Sequence, residues 1–394
     1  MSAAQAITWS EAIDAALKNN NDLQSAQRAL EASEWNYHKA KTNFLPQLSA
    51  SAGMTETLSA TSAATSKSYS YGLSASQSIF NGGSNIFNLQ SSYADYRYNL
   101  ASYKNSQADV LYTVREAFIS LLITQEKIKV LEKILEQRKE NSQLIELRYQ
   151  SGAEDKGNLL TTQADEGKSA YNLRSAKRSL RTAELHLAQL LDIPVGEISE
   201  GVVLAEIIPG DFDQLVKASP SFSMAKYRLE SAEITNRSSI TEFLPSVSLS
   251  GSYSKRDSSW PPDSESKSWG VNVSYPFFPG GRNIIEKAIN TTNLARAEED
   301  YAATYNSLRY DLEKAYLDHQ DALDSLAVNE IYLEAHAERA KITRVKYLNG
   351  LVSYDEWDRY ENSHFTAEKK QLDYKKTALL AEAKWFKLIG GYIK

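Results

Sequence analysis

Val114, Leu121, Ile128 and Leu135 recur every seven residues, with Leu111 and Phe118 on the alternate position. That is the pattern of a helix burying one narrow stripe against another helix. Leu312, His319, Leu326 and Leu333 repeat it further on, alternating with Tyr316 and Leu323. Elsewhere the period drops to two. Tyr69, Tyr71, Leu73, Ala75 and Ile79 alternate with Ser68, Ser70, Gly72, Ser74 and Ser76. Trp269, Val271, Val273, Tyr275 and Phe277 alternate with Ser268, Gly270, Asn272 and Ser274; Val247, Leu249 and Tyr253 alternate with serines too, and Leu48, Ala50 and Met54 form a weaker row. The pattern predicts strand pairs over 47–80 and 246–278, each strand with an apolar, aromatic face and a face of Ser, Asn and Gly. A soluble sandwich usually carries Lys and Glu on its wet face. A hydroxyl face behind an aromatic one fits a barrel with lipid outside and water inside.

The chain is duplicated. Asn43 opens NFLPQLSASAG and Glu242 opens EFLPSVSLSGS; SIFNGGSNI from Ser78 is matched by PFFPGGRNI from Pro276, and RYQSG ending at Gly152 by KYLNG ending at Gly350. Ordered matches at one offset mark an internal repeat. The predicted organisation is a first repeat over 1–191, an irregular inter-repeat segment over 192–210 and a second repeat over 211–394. Each repeat opens on a capping box, Thr8 with Glu11 and Asp211 with Gln214. A helix of about 35 residues follows, ending at Pro46 or Pro245. After the strands, a Gly-Gly pair opens a helix of about 65 residues, near 100 Å long. Gly152 or Gly350 breaks it, and a third helix returns to Leu191 or Ile389. Helices this long must meet neighbours along their length as coiled-coil partners.

Composition narrows the function. Zero Cys among 394 residues removes thiol nucleophiles, thiolate metal sites and disulfides, and a net charge of −6 argues against a nucleic-acid partner. The 23 Tyr and 6 Trp suit membrane interfaces. No apolar run approaches the roughly 20 residues of a spanning helix; the strongest is Ala117 to Ile123. Met1 to Ala6 reads as the small-residue remnant of a signal-cleavage site or as the small-residue tail of a cytosolic protein, with export the expected reading. None of the five His lies in an HExxH pattern, and His319 reads as a solvated or hydrogen-bonded seam residue. GxSxG, P-loop and GxGxxG motifs are absent, so neither an enzyme nor a cofactor is expected. Four strands cannot close a barrel, and lipid forbids open edges, so copies must pool strands; three copies give twelve. The polar stretches 60–67 and 258–266 read as outer hairpin loops. Two classes survive: a trimeric export duct, and a structural helical rod anchored in the membrane without transport.

The doubled order of Phe-Leu-Pro, F-N-G-G or F-P-G-G, and R-Y-x-x-G resembles the TolC family of outer-membrane efflux proteins from Ile7 to Gly391. The resemblance implies a mostly α chain with a β-barrel part. Its duplicated long helices form a coiled-coil tunnel through the periplasm, and its four strands join a twelve-stranded transmembrane barrel in a homotrimer set in outer-membrane lipid. It implies two further partners, a periplasmic adaptor protein and an inner-membrane pump, at the tunnel's closed end. No Cys follows Ala6, unlike the family's lipidated branch. Tyr69, Tyr71, Leu73, Val247, Leu249, Tyr253, Trp269, Val271, Val273, Tyr275 and Phe277 are then the lipid-facing barrel residues. By the same resemblance Tyr347 braces the closed periplasmic aperture, and Glu356 holds the position of its first acidic ring. Arg359 stands where a second carboxylate is common, with Asp355 and Asp358 as neighbouring substitutes and Asn158 at the matching position of the first repeat. Acids in a first helical turn also simply complement the helix dipole. The adaptor footprint falls on Arg148, Gly152, Ala153, Gly350, Leu351, Val352 and Ser353, where Leu351 and Val352 are apolar residues on a solvated turn.

Overall fold

A computed structural model describes residues 5–58, 65–199, 201, 202, 204, 205, 207 and 210–391. In chain order they form β1 (Gln5–Ile7), α1 (Trp9–Asn19), α2 (Asn21–Thr42), β2 (Gln47–Leu58), β3 (Thr65–Asn81), α3 (Ser84–Gln150), α4 (Lys156–Leu191), β4 (Val195–Ile198), α5 (Phe212–Ala218), α6 (Pro220–Ser238), a 3-10 turn (Ser239–Phe243), β5 (Ser246–Asp257), β6 (Ser264–Ser274), α7 (Arg282–Leu348) and α8 (Tyr354–Leu388). The protein is mostly helical with a small sheet part. Each half runs helix pair, strand pair, 67-residue helix, return helix. The Gly-Gly pairs open the long helices with φ of 66° and 86° at Gly82 and Gly83, and 68° and 81° at Gly280 and Gly281. A Cβ on Gly82 would also lie 2.8 Å from the Thr241 carbonyl oxygen, so glycine is required there twice over.

Several expectations need correction. The opening helix of each repeat is two helices. Asn20 interrupts the first: its side-chain oxygen accepts from the Asp22 and Leu23 amides at 3.0 and 3.1 Å, and its own amide donates to Leu190 O at 3.0 Å. An Asn side chain that bonds backbone amides competes with the helical ladder. Pro220, lacking an N–H, restarts the second after Ser219. Thr8 and Glu11 form a full capping box, whereas Asp211 accepts from the nearer Asp213 amide at 2.9 Å, with no return bond from Gln214 among the described residues. The inter-repeat segment is not wholly irregular, because β4 pairs in parallel with β1.

Two more corrections concern strands. β6 stops at Ser274, short of Tyr275 and Phe277, because Pro276 cannot donate to the ladder; both rings remain exposed outside the strand. A bulge between Ser78 and Phe80 sets Phe80 opposite Val247, so Ile79 does not continue the row begun by Tyr69. Of the first loop, 59–64 lies outside the described residues; 65–67 already belongs to β3.

Residue packing divides the chain into two units. One comprises 27–102 and 221–304 and contains the four-stranded sheet, in the order β2-β3-β5-β6. The other comprises 1–26, 103–220 and 305–394 and holds the largest apolar core among the described residues. There Trp9, Ala12, Ile13 and Ala16 of α1 pack on Leu111, Val114, Phe118 and Leu121 of α3 and on Leu187 and Leu191 of α4. The Trp9 and Phe118 rings meet edge-on at 5.4 Å. Each buried Leu, Ile, Val or Phe there contributes about 1.5–3 kcal/mol by leaving water. Further along α3 the buried positions are Leu131, Ile134, Arg138, Asn141, Ser142 and Ile145. Leu131, Arg138 and Ile145 keep the seven-residue step, but on a stripe shifted from the expected row of Ile128 and Leu135. Leu135 is accordingly only half-buried.

Candidate functional site

The two helix breaks share one grammar. Ala153 N–H donates to Arg148 O at 2.8 Å and Gly152 N–H to Tyr149 O at 3.0 Å; Leu351 and Gly350 repeat both bonds to Lys346 and Tyr347 at 2.9 and 3.0 Å. This paired C-terminal cap needs a left-handed residue, supplied by Gly152 (φ 77°) and Gly350 (φ 73°). Asp155 then caps α4 and Ser353 caps α8 through side-chain oxygens that accept from Asn158 and Glu356 N–H.

The fold brings the breaks together. Ile145, Tyr347, Tyr354 and Trp357 form one buried cluster, with Leu144, Leu159 and Val352 against it. Tyr347 stacks on Trp357 at 4.6 Å with planes 10° apart, and the Arg148 guanidinium lies 4.8 Å over the Tyr347 ring. The Tyr347 hydroxyl donates to one Glu154 carboxylate oxygen, while the Asn158 amide donates to the other at 2.8 Å. Glu154 thereby joins α7 to the first-repeat tip. Burial, and then the Glu154 carboxylate, hold the Tyr347 hydroxyl well above the usual phenol range. Tyr354 and Thr162 hydroxyls pair at 2.7 Å.

The tip acids divide. Asp355 is exposed and Glu356 half-buried, and neither carboxylate has an ion-pair partner among the described residues. Asp358 is engaged: Arg138 Nη1 lies 3.0 Å from it, 3.4 Å from Asp165 and 3.6 Å from Glu361. Glu361 also accepts from Asn141 and from Gln137 at 3.1 Å. Burial pushes the Glu361 carboxyl upward, and Asn141 and Arg138 pull it back. Arg359 is exposed, its guanidinium 5.0 Å over Tyr360. Of the turn residues, Gly152, Ala153, Gly350, Leu351 and Ser353 are exposed and Arg148 is half-buried. Val352 packs into the aromatic cluster, so only Leu351, 72% exposed, remains as an unexplained apolar residue. His319 also departs from expectation. It is fully buried, and neither ring nitrogen has a hydrogen-bond partner among the described residues. Burial pulls its pKa down.

Sequence reasoning missed Arg138, Glu154 and Trp357. Arg138 left a signal: a cation one turn beyond Ile134 and two turns before Ile145 on the buried row. Glu154 left none.

The sheet carries two chemistries. Leu73 stands opposite Ala50 and Tyr253, Leu249 opposite Val271, Val247 opposite Val273, and Tyr69 opposite Met54. Residues paired directly across strands share a face, so one face is continuous, apolar and aromatic. Trp269 joins it opposite Gly251, and Trp260 lies edge-on to Tyr69 and Tyr71 at 6.2 and 6.3 Å. On the other face Ser49 pairs with Ser74 at 2.7 Å and Ser252 with Ser268 at 2.8 Å. Among the described residues no helix is long and apolar enough to cross a membrane.

The family model described as "Outer membrane efflux protein" matches residues 12–192 and 212–391, one match per repeat. The chain belongs to the outer membrane efflux protein family. Outer membrane protein OprJ of Pseudomonas aeruginosa is 25% identical over 96% of this chain and 83% of its own length. The probable outer membrane lipoprotein SilC of Salmonella typhimurium is 24% identical over 97% and 85%. A crystal structure of CusC, at 19% identity, shares the fold with a TM-score of 0.87 over 99% of this chain and 96% of that one. Family membership makes the chain an outer-membrane efflux protein.

Proposed function

We propose that three copies of this chain form an export duct. Their sheets join in a twelve-stranded barrel through the outer membrane, and their long helices extend into the periplasm as a tunnel. The observation that carries this reading is the sheet β2-β3-β5-β6, apolar on one face and hydroxyl-lined on the other, with β2 and β6 as unpaired edges among the described residues. In lipid an unpaired edge strands backbone amides and carbonyls at several kcal/mol each, so edges must meet other copies. The exposed turns at Gly152–Ala153 and Gly350–Ser353 are the footprint of a periplasmic adaptor, which connects the duct to an inner-membrane pump. The duct itself performs no chemistry.

Asp355 and Glu356 start α8 without ion-pair partners, and threefold symmetry would crowd three copies of each about one axis. Like charges in a narrow throat concentrate cations. Asp358, balanced by Arg138, adds less. The bond from Tyr347 to Glu154 holds the closed arrangement.

The test is the mass of the detergent-solubilised protein and its conductance in a planar bilayer. A trimer that conducts is expected; a monodisperse monomer would refute the duct. A trimer without conductance would leave a structural anchor instead. Val271→Asp should block membrane insertion, whereas Asn272→Asp on the hydroxyl face should insert normally.

A further inference from the structure

We infer that Arg256 forms a cationic ring at the outer mouth of the duct. This rests on the trimeric-duct reading. Arg256 lies on the second-last residue of β5, directly opposite Ser70 on one side and Ser264 on the other. Those partners belong to the hydroxyl face. Followed through the register from Gln47 to Ser274, that face consists of Ser, Thr, Gly, Asn and Gln, with Arg256 as its one charged position among the described residues.

The other charges at this end behave differently. Glu56 with Lys67, Lys255, and Lys267 with Glu265 occupy the opposite, aromatic face by register. Each has a nearby counter-charge: Lys67 lies 3.8 Å from Glu56, Lys255 3.6 Å from Asp263, and Lys267 pairs with Glu265. Asp257, on that face too, accepts from the Ser258 amide at 2.6 Å. Arg256 is exposed and has no ion-pair or hydrogen-bond partner among the described residues. The sequence of the adjoining hairpin, 59–64, offers no acid either. A permanently charged guanidinium in an otherwise neutral wall sets the local potential alone. Three copies ring the barrel, so small anions are favoured at the outlet and cationic solutes outside are hindered from re-entering.

Screening gives the inference a signature. The Debye length is about 30 Å at 0.01 M salt, about 10 Å at 0.1 M and about 3 Å at 1 M, so the three charges act across the lumen only in dilute salt. Reversal potentials across a dilute KCl gradient test it, using wild type, Arg256→Lys, Arg256→Gln and Arg256→Glu. The anion-to-cation permeability ratio should fall by roughly two- to fivefold from wild type to Gln and again to Glu, and the differences should vanish near 1 M. Arg256→Lys should retain the wild-type ratio. Lys255→Gln, on the opposite face, should leave it unchanged, and Ser252→Asp, on the hydroxyl face, should lower it. If Ser252→Asp shifts the ratio while Arg256→Glu does not, the ring is refuted and the duct stands. If the wild-type protein does not conduct, the duct reading falls and the ring with it.

Discussion

α3 and α7 are each 67 residues long and stand 198 positions apart, yet they live in different environments. Ile119 on α3 is fully buried; its counterpart Leu317 on α7 is 61% exposed. Leu121 is buried among apolar side chains, whereas His319 is buried with unbonded nitrogens. Ile134 is buried and Tyr332 exposed. α3 is enclosed by its own chain, through α1, α4 and α8. α7 buries a thinner row of Leu312, Ala315, His319 and Ala322, and leaves Leu317, Val328, Ile331 and Tyr332 facing out. Duplication supplied two equal helices, and later divergence made one a core and the other a surface. In the proposed trimer another copy of the chain would cover that apolar row.

The contrast breaks most sharply at position 119 and its counterpart. Ile119→Asp buries an unpaired charge and should cost more than about 4 kcal/mol, enough to prevent folding. Leu317→Asp should leave the melting curve intact and abolish self-association, measured by circular dichroism and by light scattering in detergent. Equal loss of folding in both would mean that α7 is as enclosed as α3.

A second pair is Arg138 and His336. Arg138→Met strands Asp358, Asp165 and Glu361 without their cation and should cost about 3–5 kcal/mol. His336→Leu, at a half-buried position beside Tyr332, should change stability by less than about 1 kcal/mol. Denaturant titration decides it. Adding Glu361→Gln to Arg138→Met should restore part of the loss, since one stranded charge is gone.

The smallest effect concerns pH. Burial lowers the His319 pKa below its ordinary 6.5, so the unfolded chain binds that proton first. The His319 contribution is therefore full above 6.5 and declines as pH falls toward the lowered value. His319→Leu, which restores the residue found at position 121, should remove that part of the acid sensitivity. Melting midpoints between pH 7 and 5 measure it; identical pH slopes for variant and wild type would show that His319 takes up its proton as readily in the folded chain as in the unfolded one.

Much of this was legible because it was periodic or punctuated. Gly82, Gly152, Gly280 and Gly350 mark positive-φ positions that few other residues tolerate, and alternation assigned both faces of the sheet. What escaped lacked a local signature. Three- and four-residue strands such as β1 and β4 are too short to show a period, and their pairing spans the whole first repeat. The helix break at Asn20 depends on a tertiary bond to Leu190. At the tips, spacing located Tyr347 and the acids of α8, but it could not foresee that Asp358 would face Arg138 or that Glu154 would meet Tyr347. Those partners lie about 190–220 residues away in sequence.

The serine face has a last consequence. Ser49 and Ser74, and Ser252 and Ser268, share one hydrogen bond per pair across neighbouring strands, so part of their bonding capacity is already spent within the sheet. In the proposed duct, a solute sliding past would meet a neutral hydroxyl face with, among the described residues, no fixed charge short of Arg256 and no greasy patch to adsorb on. Dwell times along such a lining should be short and nearly indifferent to what is passing. A single lining can then serve cargo of varied shape, with discrimination left to the charged ends.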